Sequence, residues 1–191
     1  AGDAKYEDVN KDGSIDRLDV VYIGNANPLL FGGFGPNIRY KNFQLNAFFN
    51  YRFNQKIINI ARMNAESMDS FDNQSTSTLR RWRFEGNQTD IPRAEFNSPV
   101  NTLGSDRFLE DGSFLRLKFV TLRYNLPKAF LKKINFNYAS VFVTGSNLLT
   151  FTKYSGADPE TGNSSKWQSL GYDNNQTPRS QEITLGLNLT F

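Results

Sequence analysis

From Ile183 to Phe191 the sequence alternates without exception. Ile183, Leu185, Leu187, Leu189 and Phe191 take the odd positions, and Thr184, Gly186, Asn188 and Thr190 the even ones. A period of two belongs to an extended strand, so one face is apolar and the other polar and small. Two kinds of fold use such a strand. A soluble sandwich buries the apolar face against a second sheet. A transmembrane barrel shows it to lipid and turns the polar face to its lumen.

The rest of the chain repeats the pattern. Phe34, Pro36, Ile38 and Tyr40 alternate with Gly35, Asn37 and Arg39, and Lys41-Asn42 reverses the chain. The next strand places Phe43, Leu45, Ala47, Phe49, Tyr51 and Phe53 on one face, with Phe48 the exception on the other. A span of about ten residues suits a tilted bilayer crossing, and its terminal aromatics suit interfacial girdles. A third strand covers Ser113–Leu126. Leu115, Leu117 and Phe119 share one parity, and Val120, Leu122 and Tyr124 the other, which predicts a bulge near Phe119-Val120. Residues 127–134 read as a short basic turn. The strand at 135–148 puts Ala139, Val141 and Val143 on one face and a mixed set on the other, so its lipid side stays open. In the segment between, Ile57, Ile58, Ala61, Met63, Ala65 and Met68 predict a short helix, and Ser75–Phe84 another.

Counted back from Phe191, the connections alternate long (149–180), short (127–134), long (55–112) and short (41–42). Outer-membrane barrels have short periplasmic turns and long extracellular loops. Five strands cannot close a barrel, for which about eight are the minimum. The fold class is therefore all-β: C-terminal strands of a large antiparallel transmembrane barrel, with long extracellular loops carrying short helices. Residues 1–30 form an extracellular loop and 31–191 the five strands with loops 55–112 and 149–180. With no initiator Met or signal peptide at Ala1-Gly2-Asp3, the expectation is the tail of a longer exported polypeptide.

Composition agrees. Hydrophobic residues make up 38%, low for a self-sufficient core, while aromatics reach 14%. No apolar run is long enough for a transmembrane helix, which leaves barrel strands open. A net charge of +3 from scattered basic residues argues against nucleic acid as a partner. Neither Cys nor His is present, so thiolate sites, Cys nucleophiles and His bases are excluded. Carboxylates such as Asp106, Glu110 and Asp111 remain, but they lack the positioned acid–base pair that catalysis requires. The chain reads as a non-enzyme.

Residues 8–19 carry a second feature. Asp8, Asn10, Asp12, Ser14, Asp16 and Asp19 stand at positions one, three, five, seven, nine and twelve of an oxygen-ligand loop, with Gly13 at its sharp turn. This is the EF-hand and dockerin pattern, with Asp19 where Glu is usual. It predicts a structural calcium ion. Trp82, Arg83 and Trp167 are the candidates for stacking on or hydrogen-bonding a substrate, against the alternative that they pack the loops onto themselves.

Two resemblances extend these readings. Thr184, Gly186, Leu189 and Phe191 resemble the terminal signal that the assembly machinery reads in bacterial outer-membrane barrels. The whole chain is similar to the C-terminal region of SusC-like TonB-dependent transporters of Bacteroidetes. The motifs are Gly2-Asp3, Tyr6–Asp16, Ile23–Asn25, Tyr40–Phe43, Asp111–Lys118, Leu122–Pro127, Ser146–Thr152, Tyr154–Glu160 and Phe191. The resemblance implies a plugged barrel of about twenty-two strands. It also implies oligosaccharide or peptide uptake with a SusD-like lipoprotein, energised through TonB, and a C-terminus in the periplasm. The competing reading is a secreted, calcium-stabilised β-sandwich that binds glycans.

Overall fold

Lys41 has φ 52° and turns the chain through a tight reversal, as the sequence requires. The computed structural model describes residues 1–133, 135–160 and 170–191. In chain order the strands are β1 (Leu30–Phe34), β2 (Asn37–Tyr40), β3 (Phe43–Phe53), β4 (Lys56–Asn59), β5 (Leu109–Asp111), β6 (Phe114–Asn125), β7 (Tyr138–Thr152), β8 (Tyr172–Asp173) and β9 (Glu182–Thr190). Two short helices join them, α1 (Ile60–Ala65) and α2 (Lys128–Lys133). The chain divides into two units, residues 27–55, 111–159 and 177–191, and residues 1–26, 56–110 and 160–176.

The first unit is an antiparallel sheet in the order β1–β3–β6–β7–β9, with β2 also on β3. β1 pairs with Phe49–Phe53 and β2 with Phe43–Asn46, so the two form one stave broken at Gly35-Pro36. Pro36 has no N–H for a ladder, and its carbonyl instead accepts from the Ala47 N–H at 3.1 Å. A Cβ on Gly35 would strike the Ala47 backbone oxygen, so only glycine allows the strands to approach here. Among the described residues the outer edges of β1/β2 and β9 are unpaired. The sheet is a single open layer of five staves.

Register decides which residues share a face. Leu45, Leu122, Val143 and Leu185 lie in one cross-strand row, and Phe43, Tyr124, Val141 and Leu187 in another. Between these rows on the strand run Gln44, Arg123, Phe142 and Gly186, and beyond them Asn46, Thr121, Thr144 and Thr184. The face of β7 that the sequence left open is thus assigned: Ala139, Val141 and Val143 join the apolar face, and Ser140, Phe142 and Thr144 the polar one.

The bulge falls at Lys118, one residue before the predicted parity switch. Phe119 therefore leaves the Leu115/Leu117 face and stacks on Phe48 across the polar face, with ring centroids 5.8 Å apart. The exceptional Phe48 has an exceptional partner. β7 runs four residues further than expected, to Thr152, so Leu149 and Phe151 belong to the strand opposite Leu117 and Leu115 rather than to the following loop. The basic turn after β6 contains α2, held by Leu131, which is buried.

The second unit gathers segments that the sequence divided differently, the N-terminal stretch with most of the two long connections. Its small sheet has the order β5–β4–β8, with β4 and β8 parallel. The helix expected over Ile57–Met68 is shorter. Ile57 and Asn59 are buried and alternate with half-buried Lys56 and Ile58, a strand pattern. The Asn59 side chain then caps α1 by accepting from the Arg62 N–H at 2.9 Å. Ser75 caps a 3₁₀ turn over Thr76–Arg80 instead of a longer helix. Ile91 and Phe108 are buried to about the same degree as Ile57 and fill the core of this unit.

Candidate functional site: an exposed apolar sheet face and a loop unit

Among the described residues the apolar face of the sheet is exposed. Ile183, Leu185 and Leu187 are 75%, 77% and 66% exposed. Leu122, Val141, Leu149 and Phe151 are also exposed, as are Leu30, Phe34, Ile38 and Tyr40 at the other edge. A contiguous face of this size is rare on a soluble monomer and marks a membrane or protein interface. A sandwich would cover such a face with a second sheet. Aromatics gather where the staves meet the short connections: Phe43 and Tyr124 are 4.8 Å apart, and Phe136 meets Phe191 edge-on at 6.0 Å.

The opposite face is polar and interlocked. The Thr121 and Thr144 hydroxyls are 2.8 Å apart, and the Arg123 guanidinium lies 5.7 Å from the centre of the Phe142 ring. That ring covers Gly186, where any Cβ would collide with it. Gly186 was singled out as part of a terminal signal; its packing supplies an independent reason for glycine. Thr184, in the same strand, pairs with Thr144. Leu189 pairs with Ala139 on the apolar face.

Sequence reasoning missed the ion pair on this face. Arg116 and Asp158 are 4% and 3% exposed, and the guanidinium meets both carboxylate oxygens, at 2.6 and 3.3 Å. Arg116 Nε donates to Thr150 Oγ1 at 2.9 Å, and the Arg179 N–H donates to Asp158 at 3.2 Å. The planar fork of Arg suits this two-point grip. It fastens the turn after β7 to the staves of β6 and β7. The available clue was a single Arg between Leu115 and Leu117, at a polar-face position of an otherwise apolar run.

In the loop unit, residues 8–19 close on themselves. Asp8 accepts from the N–H groups of Lys11, Asp12 and Gly13 at 2.6, 3.2 and 2.8 Å. Asp12 accepts from Ser14 and from the Asn10 side chain, and Asp19 reaches back to the Val9 N–H at 2.8 Å. Gly13 takes φ 88° at the turn. N–H groups of Asp16, Val9 and Asn10 hold the Asp19 carboxyl below its ordinary pKa. Asp16 accepts from the Leu18 N–H. The all-oxygen donor set and the closed loop suit a hard cation. In this conformation the carboxylates bind backbone N–H groups, and among the described residues no three acidic side chains converge at metal-ligand distance.

A cleft of about 1220 Å³ opens beside this loop, with Ile15, Asp19 and Val21 on its lining together with Trp82, Ile91 and Arg107. Trp82 packs flat against Gly2, whose φ of 88° and missing Cβ admit the indole. Its ring is thus engaged by the N-terminal segment, which Arg93 secures through Asp3 at 2.6 Å. That guanidinium lowers the Asp3 pKa. Arg83 is exposed and donates to the Leu79 carbonyl at 3.1 Å. The third candidate, Trp167, lies outside the described residues. Buried Glu66 joins Arg62 and Arg107, at 3.1 and 3.0 Å, and Glu110 completes the cluster through Arg62 at 3.3 Å. Glu110 and, through its bond to the Ser113 N–H, Asp111 thus act in packing.

Comparison with known proteins supplies relatives. A TonB-dependent receptor of Formosa agariphila, P3, is 33% identical over all of this chain, and a second, P26, is 34% identical. SusC of Bacteroides thetaiotaomicron is 27% identical over 97% of the chain. Over its whole length the chain is similar to TonB-dependent receptors, SusC among them. It spans 19% of the length of receptor P3 and 20% of P26. Among solved structures, the SusC-like chain is similar to one in the RagAB peptide transporter, with TM-score 0.74 and 30% identity over 88% of this chain and 18% of that one. The closed-closed state of the RagAB peptide importer matches 94% of the chain at the same TM-score. No protein-family model matches.

Proposed function

We propose that this SusC-like chain forms barrel wall and extracellular loops of an outer-membrane importer. The importer takes up oligosaccharides or peptides, works with a SusD-like surface lipoprotein and draws energy through TonB. The observation that carries this reading is the exposed apolar face, aligned row by row across four staves while the other face is polar. Lipid covers such a face; the lumen and plug take the other. The unpaired edges of β1/β2 and β9 suit further staves of the same barrel. The short connections then lie in the periplasm and the long connections outside the cell. Fractionation tests this: the protein carrying the chain partitions with outer membranes and needs detergent, and recovery as a soluble species would reject the reading.

Two expectations accompany it. Calcium, abundant outside the cell, stabilises residues 8–19 as a structural clip. Mass spectrometry should find one bound calcium in the intact protein and none after Asp12→Ala; a parent protein without calcium refutes the site. Phe191, edge-on to Phe136, and the strand leading to it serve barrel assembly. Phe191→Ala should lower the folded yield in the outer membrane several-fold, and an unchanged yield would remove that role.

A further inference from the structure

Charge is divided sharply along the staves. All nineteen Asp and Glu residues fall outside residues 27–55, 112–157 and 183–191. Those on the sheet unit, Asp111, Asp158 and Glu182, lie on the long-connection side, before β6, after β7 and at the start of β9. The short-connection end therefore holds no Asp or Glu side chain. There the two turns and the last strand are fastened together, the Asn125 N–H donating to the Asn42 carbonyl and the Asn137 N–H to the Thr190 carbonyl, both at 2.8 Å.

That end carries lysines instead. Lys128, Lys132 and Lys133 are exposed on α2, and Lys41 on the neighbouring turn lies 5.4 Å from the centre of the Tyr40 ring. Leu131 is buried and seats α2 against the sheet end, with the Phe136 N–H closing behind it on the Leu131 carbonyl at 3.1 Å. Helical spacing sets Lys128 and Lys132 on one flank of Leu131 and Phe130 on the other, with Lys133 pointing away. Phe130 is half exposed. The apolar face continues to this same end through Leu189 and Phe191, both exposed.

We infer that the short-connection end is a binding site for anionic phospholipid headgroups of the periplasmic leaflet. Lys128, Lys132 and Lys133 would hold the phosphates, and Phe130 would enter the acyl boundary beside the aromatic belt. This rests on the barrel reading, which places that end at the inner leaflet. Three observations favour a lipid occupant: continuity with the lipid-facing sheet, the aromatic layer beside α2, and the absence of any Asp or Glu side chain that would repel phosphate. Long lysine stems reach a headgroup while keeping the ammonium in water.

The test uses the intact protein extracted from outer membranes. Its affinity for phosphatidylglycerol is measured in phosphatidylethanolamine vesicles, and retained lipid is counted by native mass spectrometry. Each lysine near an anionic surface contributes roughly five-fold, so the triple change Lys128→Gln, Lys132→Gln, Lys133→Gln should weaken phosphatidylglycerol binding about 100-fold. Changing all three to Arg should preserve it, and Lys5→Gln with Lys11→Gln in the loop unit should leave it alone. Equal affinity in parent and triple variant would overturn the inference, as would equal loss in the loop control. A triple variant that still reaches the outer membrane yet keeps its lipid defeats this inference alone. A parent protein missing from that membrane defeats the barrel reading with it.

Discussion

Asp158→Ala is expected to release the turn that follows β7 and to destabilise it by about 3–5 kcal/mol, the cost of leaving one member of a buried ion pair without the other. Arg116 is almost wholly enclosed, its guanidinium shared between Asp158 and Thr150 and lying 5.6 Å from the centre of the Phe114 ring. Without Asp158 that cation must either stay buried without its carboxylate or swing out and break the packing on Phe114. The hydrogen bond from the Arg179 N–H to Asp158 is lost in the same event. Hydrogen exchange at Tyr154–Asp158 in the intact protein reads the opening free energy directly. Asp158→Asn should cost less, because the amide oxygen still accepts from Arg116. Arg116→Met combined with Asp158→Ala should recover much of the loss, since a well-packed apolar side chain can replace a buried ion pair at little cost. A single-variant cost below about 1 kcal/mol would show that the pair is not what fastens the turn, a value expected only for exposed pairs.

The contrast between this pair and the staves explains what the sequence could reveal. Alternation is local, so β3 and β9 were readable from their own residues, and so was the tight reversal at Lys41-Asn42. Facing was readable only where one parity is clean. β7 presents Val141 and Val143 on one side and Phe142 on the other, and its own residues do not choose. Pairing chooses, because Val143 lies between Leu122 and Leu185. The displaced bulge has the same cause. Lys118 is an inserted residue recognisable only against Phe48 and Phe49 on the partner strand.

Contacts between residues far apart in sequence stayed hidden for a different reason. Arg116 and Asp158, or Glu66 and Arg107, leave no periodic trace; each is one charge among several in a polar segment. The loop unit as a whole was also illegible, because β4 owes its strand conformation to pairing with β8, over a hundred residues later, while its own sequence suits a helix equally. The residues of the cation loop are the opposite case. Their spacing was plain in the sequence, and the fold adds the closure of Asp8 on Gly13 and of Asp19 on Val9.

The assignment of faces leads to the second large effect. Leu185→Arg should destabilise the barrel by about 2–4 kcal/mol, the penalty for a cation at mid-depth on a lipid-facing strand. Thr184→Arg, one residue away, should cost far less, because its side chain belongs to the polar face beside Thr144 and Thr121. The pair separates the readings of the apolar face. If lipid covers it, the cost depends on depth: Leu189→Arg, near the short-connection end, should be cheaper than Leu185→Arg, since the side chain can reach the interface. If a second protein layer covered it instead, Leu185 and Leu189 would be comparably intolerant, with no gradient toward the end of the strand. Reversible unfolding of the intact protein in lipid vesicles gives the three free energies. A flat profile, or a Thr184→Arg cost equal to that of Leu185→Arg, would remove the lipid assignment of this face. A falling profile would tie the exposed rows of β3, β6, β7 and β9 to the bilayer, residue by residue.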